Sequence, residues 1–276
     1  MIHCVWYPSG GFGHFINAIL TLHGVKFIRP TKPLNFGDDG NSHDLDLVSK
    51  KFFMNPETYE ETFSDEWNYC VLIDNGINDE SRDFMRHFPN AKVLKVCYSD
   101  LTWPIVAKTM IVKSMGKDIS SEVNVGEGWN SVEDWSLREK YFLYLRDHKL
   151  RSAWRPNESI PFIFIDNLLK YDVMVERISL FADVGDFHTL WEEWGRANKP
   201  YLEPIAIAKR VILAVRTLQH IDISDIKDIW IQSVIYYYIW LDFGLEVPHN
   251  DYAKWFTNTQ DIVTMLELLG VKIDSH

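Results

Sequence analysis

Apolar positions along the chain fall into short runs separated by glycine, proline and polar clusters, and the first junction is the sharpest. Residues 2–7, Ile-His-Cys-Val-Trp-Tyr, form an apolar run that ends at Pro8. Ser9, Gly10, Gly11, Phe12 and Gly13 follow, and an apolar pattern of helical length then runs from His14 to His23, before Gly24. The pattern predicts a strand, a tight glycine loop and a helix. Three more runs predict strands: residues 69–74, 91–98 and 161–166. They are apolar on alternate faces or throughout, as central parallel strands tend to be. Helices are expected at 80–88, 105–113, 135–150, 171–182, 188–198, 204–219, 225–242 and 259–269. In the 171–182 helix, Val173, Val175, Ile178, Leu180 and Phe181 supply the apolar side. Asn258 or Thr259 is expected to cap the last helix, and Gly270 to stop it.

The order of these elements implies an α/β fold: a three-layer core with a mostly parallel sheet and a helical C-terminal extension. The reading is one domain over residues 1–276, with a helix-rich part at 185–276 covering one end. The second and third strands start about 22 residues apart, which suits a βαβ crossover. Right-handed crossovers put every strand's C-terminus on one edge, where ligands bind in open α/β sheets. The glycine loop, Asp74-Asn75-Gly76, Tyr98-Ser99-Asp100 and Asp166-Asn167 all end strands, so they are expected to gather there.

Composition narrows the partners. The net charge of −11 argues against general nucleic-acid binding, which needs a basic face for the phosphates. The three cysteines lie in or beside predicted strands without a paired spacing. With no signal-peptide pattern, they predict reduced, buried thiols in a cytoplasmic protein. No window is long and apolar enough for a membrane span; the segment 229–241 is too short and is bracketed by Asp228 and Asp242. Aromatics make up 14% of the chain, and Trp191, Trp194 and Tyr201 read as packing rather than as a stacking platform. No cysteine or histidine cluster has metal-site spacing, and His249-Asn250-Asp251 offers too few ligands, so no metal is expected.

The candidate chemistry centres on residues 9–14. Ser9 and the glycines let several backbone N–H groups turn to one point, beside a helix N-terminus that favours negative charge. The alternative is a tight turn that binds nothing. His14, near that N-terminus, is a candidate general base toward a hydroxyl, its neutral form favoured by the helix dipole. Asp74 and Asp100, after the second and third strands, can position an acceptor or take its proton, or can serve as turn and cap residues. Arg29, Lys32, Lys95 and Lys108 are possible phosphate partners. The loop is neither a Walker A loop nor Gly-x-Gly-x-x-Gly, since no Gly-Lys-Ser/Thr opens the helix.

Tyr7-Pro8-Ser9-Gly10-Gly11-Phe12 after a strand resembles the start of the sulfotransferase family, whose strand runs into Tyr-Pro-Lys-Ser-Gly-Thr-Thr-Trp. Residues 92–100 resemble that family's strand before Arg-Asn-Pro-x-Asp, and residues 162–181 its later strand and helix. The resemblance implies sulfuryl transfer from 3′-phosphoadenosine 5′-phosphosulfate to a hydroxyl on a small molecule or glycan. It places donor contacts on Ser9, Gly10, Gly11, Phe12, Gly13 and Ser99, with His14, Asp74 or Asp100 taking the acceptor proton. Here the loop lysine is absent and no arginine follows Tyr98. Gly13-His14 opening a helix is similar instead to the first unit of GT-B glycosyltransferases, which implies a nucleotide-sugar donor. A non-catalytic α/β binding protein with a degenerate loop is the third reading.

Overall fold

A computed structural model describes residues 1–7, 12–28, 66–74, 86, 88–99, 160–227, 229–245 and 252–273. The expected helices at 105–113 and 135–150, and nearly all of that at 80–88, lie outside the described residues. The chain groups into two compact units, one formed by residues 1–99 and 151–199, the other by residues 100–150 and 200–276.

The first unit carries the sheet. Strands β1 (Ile2–Tyr7), β2 (Tyr69–Asp74), β3 (Lys92–Cys97) and β4 (Phe162–Phe164) lie in the order β2-β1-β3-β4, and every pairing is parallel. The fold is α/β, as the element order implies. β1 is central, and both its faces are covered. Cys4 and Val71 are buried on one face, with Ile2, Trp6, Phe88, Ala91 and Val93 packed around them. On the other, His3 lies between Phe27 and Phe181, at ring-centroid distances of 4.9 and 5.1 Å. A strand covered on both faces is apolar at most positions, with His3 the buried polar residue of the run.

Helix α1 (Gly13–His23) is buried from Gly13 to Thr21. The strand expected at 161–166 is shorter. After Phe164 the chain turns into a four-residue helix, α2 (Ile165–Leu168), so Asp166 lies in a first helical turn. The side chain of Asn167 accepts the Phe164 N–H at 2.9 Å and so stops the strand.

Helix α3 (Tyr171–Ser179) buries the expected Ile178, and Phe181 beyond it, but adds Met174 and leaves out Leu180. Met174 and Ile178, one turn apart, are its buried residues, while Val173 and Val175 are half-buried and Leu180 is 71% exposed beyond the helix end. Ending at Ser179 rather than 182 turns Leu180 outward and leaves Phe181 to close on His3. Helix α4 (His188–Thr217) is continuous where two helices were expected, with Pro200 and Pro204 inside it. Each proline removes one i→i−4 hydrogen bond, a local cost that surrounding structure can override.

The second unit is helical in its described part. Its core includes Val211, Val215, Val234, Ile235, Tyr238, Ile262 and Leu266. Helix α5 (Ile229–Phe243) is buried along most of its length, as its apolar sequence predicts. Helix α6 (Tyr252–Asn258) packs Phe256 edge-on to Tyr236. Helix α7 (Ile262–Leu268) is capped by Asp261, not by Asn258 or Thr259. The Asp261 carboxylate accepts N–H bonds from Val263 and Thr264 and meets His220 Nδ1 at 2.9 Å. Gly270 ends the helix at φ +95°, as expected. Among the described residues no helix is long and apolar enough to cross a membrane.

Two outcomes test this packing. Met174→Ala should cost about 2–5 kcal/mol in urea unfolding, whereas Leu180→Ala should stay within about 0.5 kcal/mol of the parent. His3 supplies a pH test. Burial pushes its pKa from 6.5 down to about 4, with Lys92 and the N-terminal ammonium adding repulsion. The unfolded chain then binds the extra proton, so stability present above pH 6.5 is lost as pH falls toward 4, by up to about 3 kcal/mol. His3→Phe should flatten the stability profile across that window.

Candidate functional site

Because all four strands run parallel, their C-terminal ends share one edge of the sheet. Tyr7 pairs with Asp74 in register, Trp6 with Lys95, and Cys97 with Phe164. The order reverses at β1: β2 is added on one side, and β3 and β4 on the other. In doubly wound sheets that reversal opens a crevice between the loops leaving the two strands. The loop after β1 and the segment after β3 both leave from it. The sequence places the glycine loop there without needing a motif.

The junction between β1 and α1 is built around Tyr7. A Cβ on residue 13 would sit 2.2 Å from Tyr7 Cγ and 2.3 Å from Cδ1, so only glycine admits the ring. Gly13 is thus fixed by a close approach, and the ring covers the first residue of the helix. From there Tyr7 reaches His14, with its hydroxyl 3.2 Å from Nε2 and the rings edge to face at 5.7 Å. His14 is only 7% exposed, and Tyr7 is half-buried.

Phe12 takes the N-cap position in the left-handed region, at φ 56° and ψ 29°. That conformation costs a non-glycine residue on the order of 1–3 kcal/mol. Its side chain offsets the cost by burial, edge-on to Trp194 at 5.2 Å. Phe15 stacks on the same indole at 4.3 Å and 4°. The Phe12 carbonyl accepts the N–H groups of Phe15 and Ile16, and no side chain caps the helix. Phe12 therefore anchors the loop through its side chain. Trp194, expected to be a packing residue, is that anchor. Trp191 donates its indole N–H to the Leu168 carbonyl at 2.7 Å.

The expected site residues divide three ways. Gly13, His14 and the backbone of Asp74 come together around Tyr7; the Asp74 side chain is outside the described residues. Ser99 follows β3 and donates its hydroxyl to the carboxylate of Asp166, joining the ends of β3 and β4. Ser9, Gly10, Gly11 and Asp100 lie outside the described residues, as do Arg29, Lys32, Lys108 and the triplet 249–251. Lys95 is buried at 6% exposure, its ammonium over the Trp6 ring at 5.1 Å, a cation–π arrangement.

Sequence reasoning missed Tyr7 as the partner of His14 and Asp166 as the partner of Ser99. One signal was available. His14, Asn17 and Thr21 are buried polar residues spaced i, i+3, i+7, a polar stripe within an otherwise apolar helix. Thr21 bonds back to the Asn17 carbonyl at 2.8 Å. The three cysteines are buried, as expected. Burial raises the pKa of Cys97 to about 11, although Lys95 opposes the shift, and it raises that of Cys4 further. Both are protonated at neutral pH and are unsuited to nucleophilic work. Among the described residues no group of three or more His, Cys, Asp or Glu side chains is placed to hold a metal.

Gly13→Ala should displace the Tyr7 ring and cost about 1–3 kcal/mol, read by thermal unfolding. Near-UV circular dichroism should change with it, since the aromatic contacts at the junction move. A Gly13→Ala protein with the parent's stability and spectrum would contradict the close approach.

No family model matches the chain, and searches of curated proteins and of solved structures returned no match.

Proposed function

We propose that this protein transfers a group from a phosphate-bearing nucleotide to a hydroxyl acceptor at the C-terminal edge of its sheet. One observation carries the reading: the helix that follows the central strand opens with Gly13-His14 where the strand order reverses. Anionic donors favour such a position, since helix amides and the helix dipole act at the same point. In this reading the backbone amides of Ser9, Gly10, Gly11, Phe12 and Gly13 hold the oxygens of the transferred group. Fixed donors of that kind act most strongly as charge develops in the transition state. Ser99 meets the donor's far end, and Asp74, Asp100 or the His14 neighbourhood receives the acceptor. The acceptor is a small molecule or a glycan, and the compartment is the cytoplasm.

The resemblance of residues 7–12 and 92–100 makes 3′-phosphoadenosine 5′-phosphosulfate the first donor to test, with no metal required. The absent loop lysine weakens charge neutralisation at that donor's phosphosulfate. A nucleotide sugar is the second donor class, favoured by Gly13-His14 as the first two residues of α1.

A thermal-shift series with adenosine 3′,5′-bisphosphate, nucleotide sugars and sulfate separates these readings. A ligand at a hundredfold excess over its dissociation constant should stabilise the fold by about 2.7 kcal/mol. The bisphosphate is expected to raise the melting temperature. A response to a nucleotide sugar alone would move the assignment to glycosyl transfer. Silence to every nucleotide would leave an α/β binding protein with a degenerate loop.

A further inference from the structure

We infer that Trp194 is a positioning residue for the donor loop, acting by holding Phe12 in a backbone conformation that the loop would otherwise leave. The inference rests on the group-transfer reading above and assigns the loop's geometry to a residue of α4. Phe12 has φ 56° and ψ 29° and directly precedes Gly13, the first residue of α1. A left-handed residue followed by a helical one is the backbone form that gathers successive N–H groups into an anion-sized hollow. A phenylalanine takes that form only against a steric cost, since its Cβ crowds the backbone. Strain of this kind persists where the surroundings over-determine it, and it concentrates at ligand loops.

The surroundings here centre on one indole. Phe12 is 4% exposed, and its ring meets Trp194 edge to face at 5.2 Å. Phe15, almost one turn on, stacks flat on the same indole at 4.3 Å. Trp194 is itself buried on α4, with little room to turn aside for either ring. The two contacts fix residue 12 against the first turn of its own helix. No side chain caps α1, and the Phe12 carbonyl receives the N–H groups of Phe15 and Ile16 at 3.0 and 3.4 Å. The start of the helix therefore depends on Phe12 keeping its conformation. Without the indole the ring loses its burial, and residue 12 relaxes toward the ordinary backbone regions. A donor must then restore the left-handed form as it binds, and its affinity falls accordingly.

Variants of the full chain separate anchoring from packing. Phe12→Ala removes the ring and keeps the Cβ, whereas Phe12→Gly removes both and takes φ 56° freely. Trp194→Leu removes the indole. Binding of adenosine 3′,5′-bisphosphate is read by titration calorimetry, and protection of the Phe15 and Ile16 amides by hydrogen exchange. Phe12→Ala and Trp194→Leu should bind the bisphosphate about tenfold more weakly than the parent. Both should exchange those two amides faster relative to the amides of β1. Phe12→Gly should recover most of the affinity lost in Phe12→Ala, an order that loss of packing alone does not produce. Met174→Ala, destabilised away from the loop, should bind as the parent does. Should Trp194→Leu not fold, the comparison of alanine with glycine at residue 12 carries the test. Equal affinities in Phe12→Ala and the parent, or weaker binding in Phe12→Gly than in Phe12→Ala, overturn the positioning role. Unchanged relative protection of the Phe15 and Ile16 amides in Phe12→Ala overturns it as well. Where the parent answers uridine diphosphate glucose instead of the bisphosphate, the same comparison is made with that ligand. If the parent binds neither, the group-transfer reading fails, and the role assigned to Trp194 falls with it.

Discussion

The ring of Tyr7 occupies the space that a side chain on residue 13 would need. That single close approach sets how the central strand hands over to the first helix. The strand ends with an aromatic residue, and the helix must begin beneath it. Only a residue without a Cβ allows both. Once the ring is seated, its hydroxyl falls beside His14 Nε2, and the helix continues with Phe15 and Ile16 bonded back to Phe12. The polar pair at the sheet edge is thus a consequence of packing before it is a matter of chemistry.

A second constraint holds the loop from the other side. Phe12 is strained in the left-handed region, and Trp194, from a helix far along the chain, receives both Phe12 and Phe15. Strain at a strand–helix loop persists only where surrounding packing over-determines it. The aromatic contacts supply that, and they fix where the helix starts. Polar groups meet at the same edge of the sheet. Ser99 reaches Asp166 across the ends of β3 and β4, so the strand ends are tied by side chains as well as by the backbone ladder.

Much of the fold was legible because its strands are buried on two faces. Residues 2–7, 69–74 and 92–97 are apolar runs between breakers, and a run of that kind admits few alternatives. Where local pattern and tertiary demand diverged, the pattern lost. Two helices were expected at 188–198 and 204–219, yet one helix passes through both spans with Pro200 and Pro204 inside it. Leu180 looked like core, but the helix ends at Ser179 and leaves it outside, while Met174 takes the buried position. Asp261 outcompeted Asn258 and Thr259 as a cap because its carboxylate reaches two helix amides and His220 together.

By itself the sequence determined an α/β fold, its parallel strands and the placement of a glycine loop at their common edge. Those follow from local periodicity and from the handedness of crossovers, which need no knowledge of distant partners. It also made His14 a candidate. Tertiary structure alone decided that His14 is enclosed and that its Nε2 meets the Tyr7 hydroxyl. It likewise decided that Ser99 meets Asp166, that Lys95 lies over Trp6, and that Trp194 anchors the loop. These contacts join residues that follow different strands or belong to different helices. No local pattern encodes them, because they depend on strand order and on which face each side chain takes once the sheet has formed.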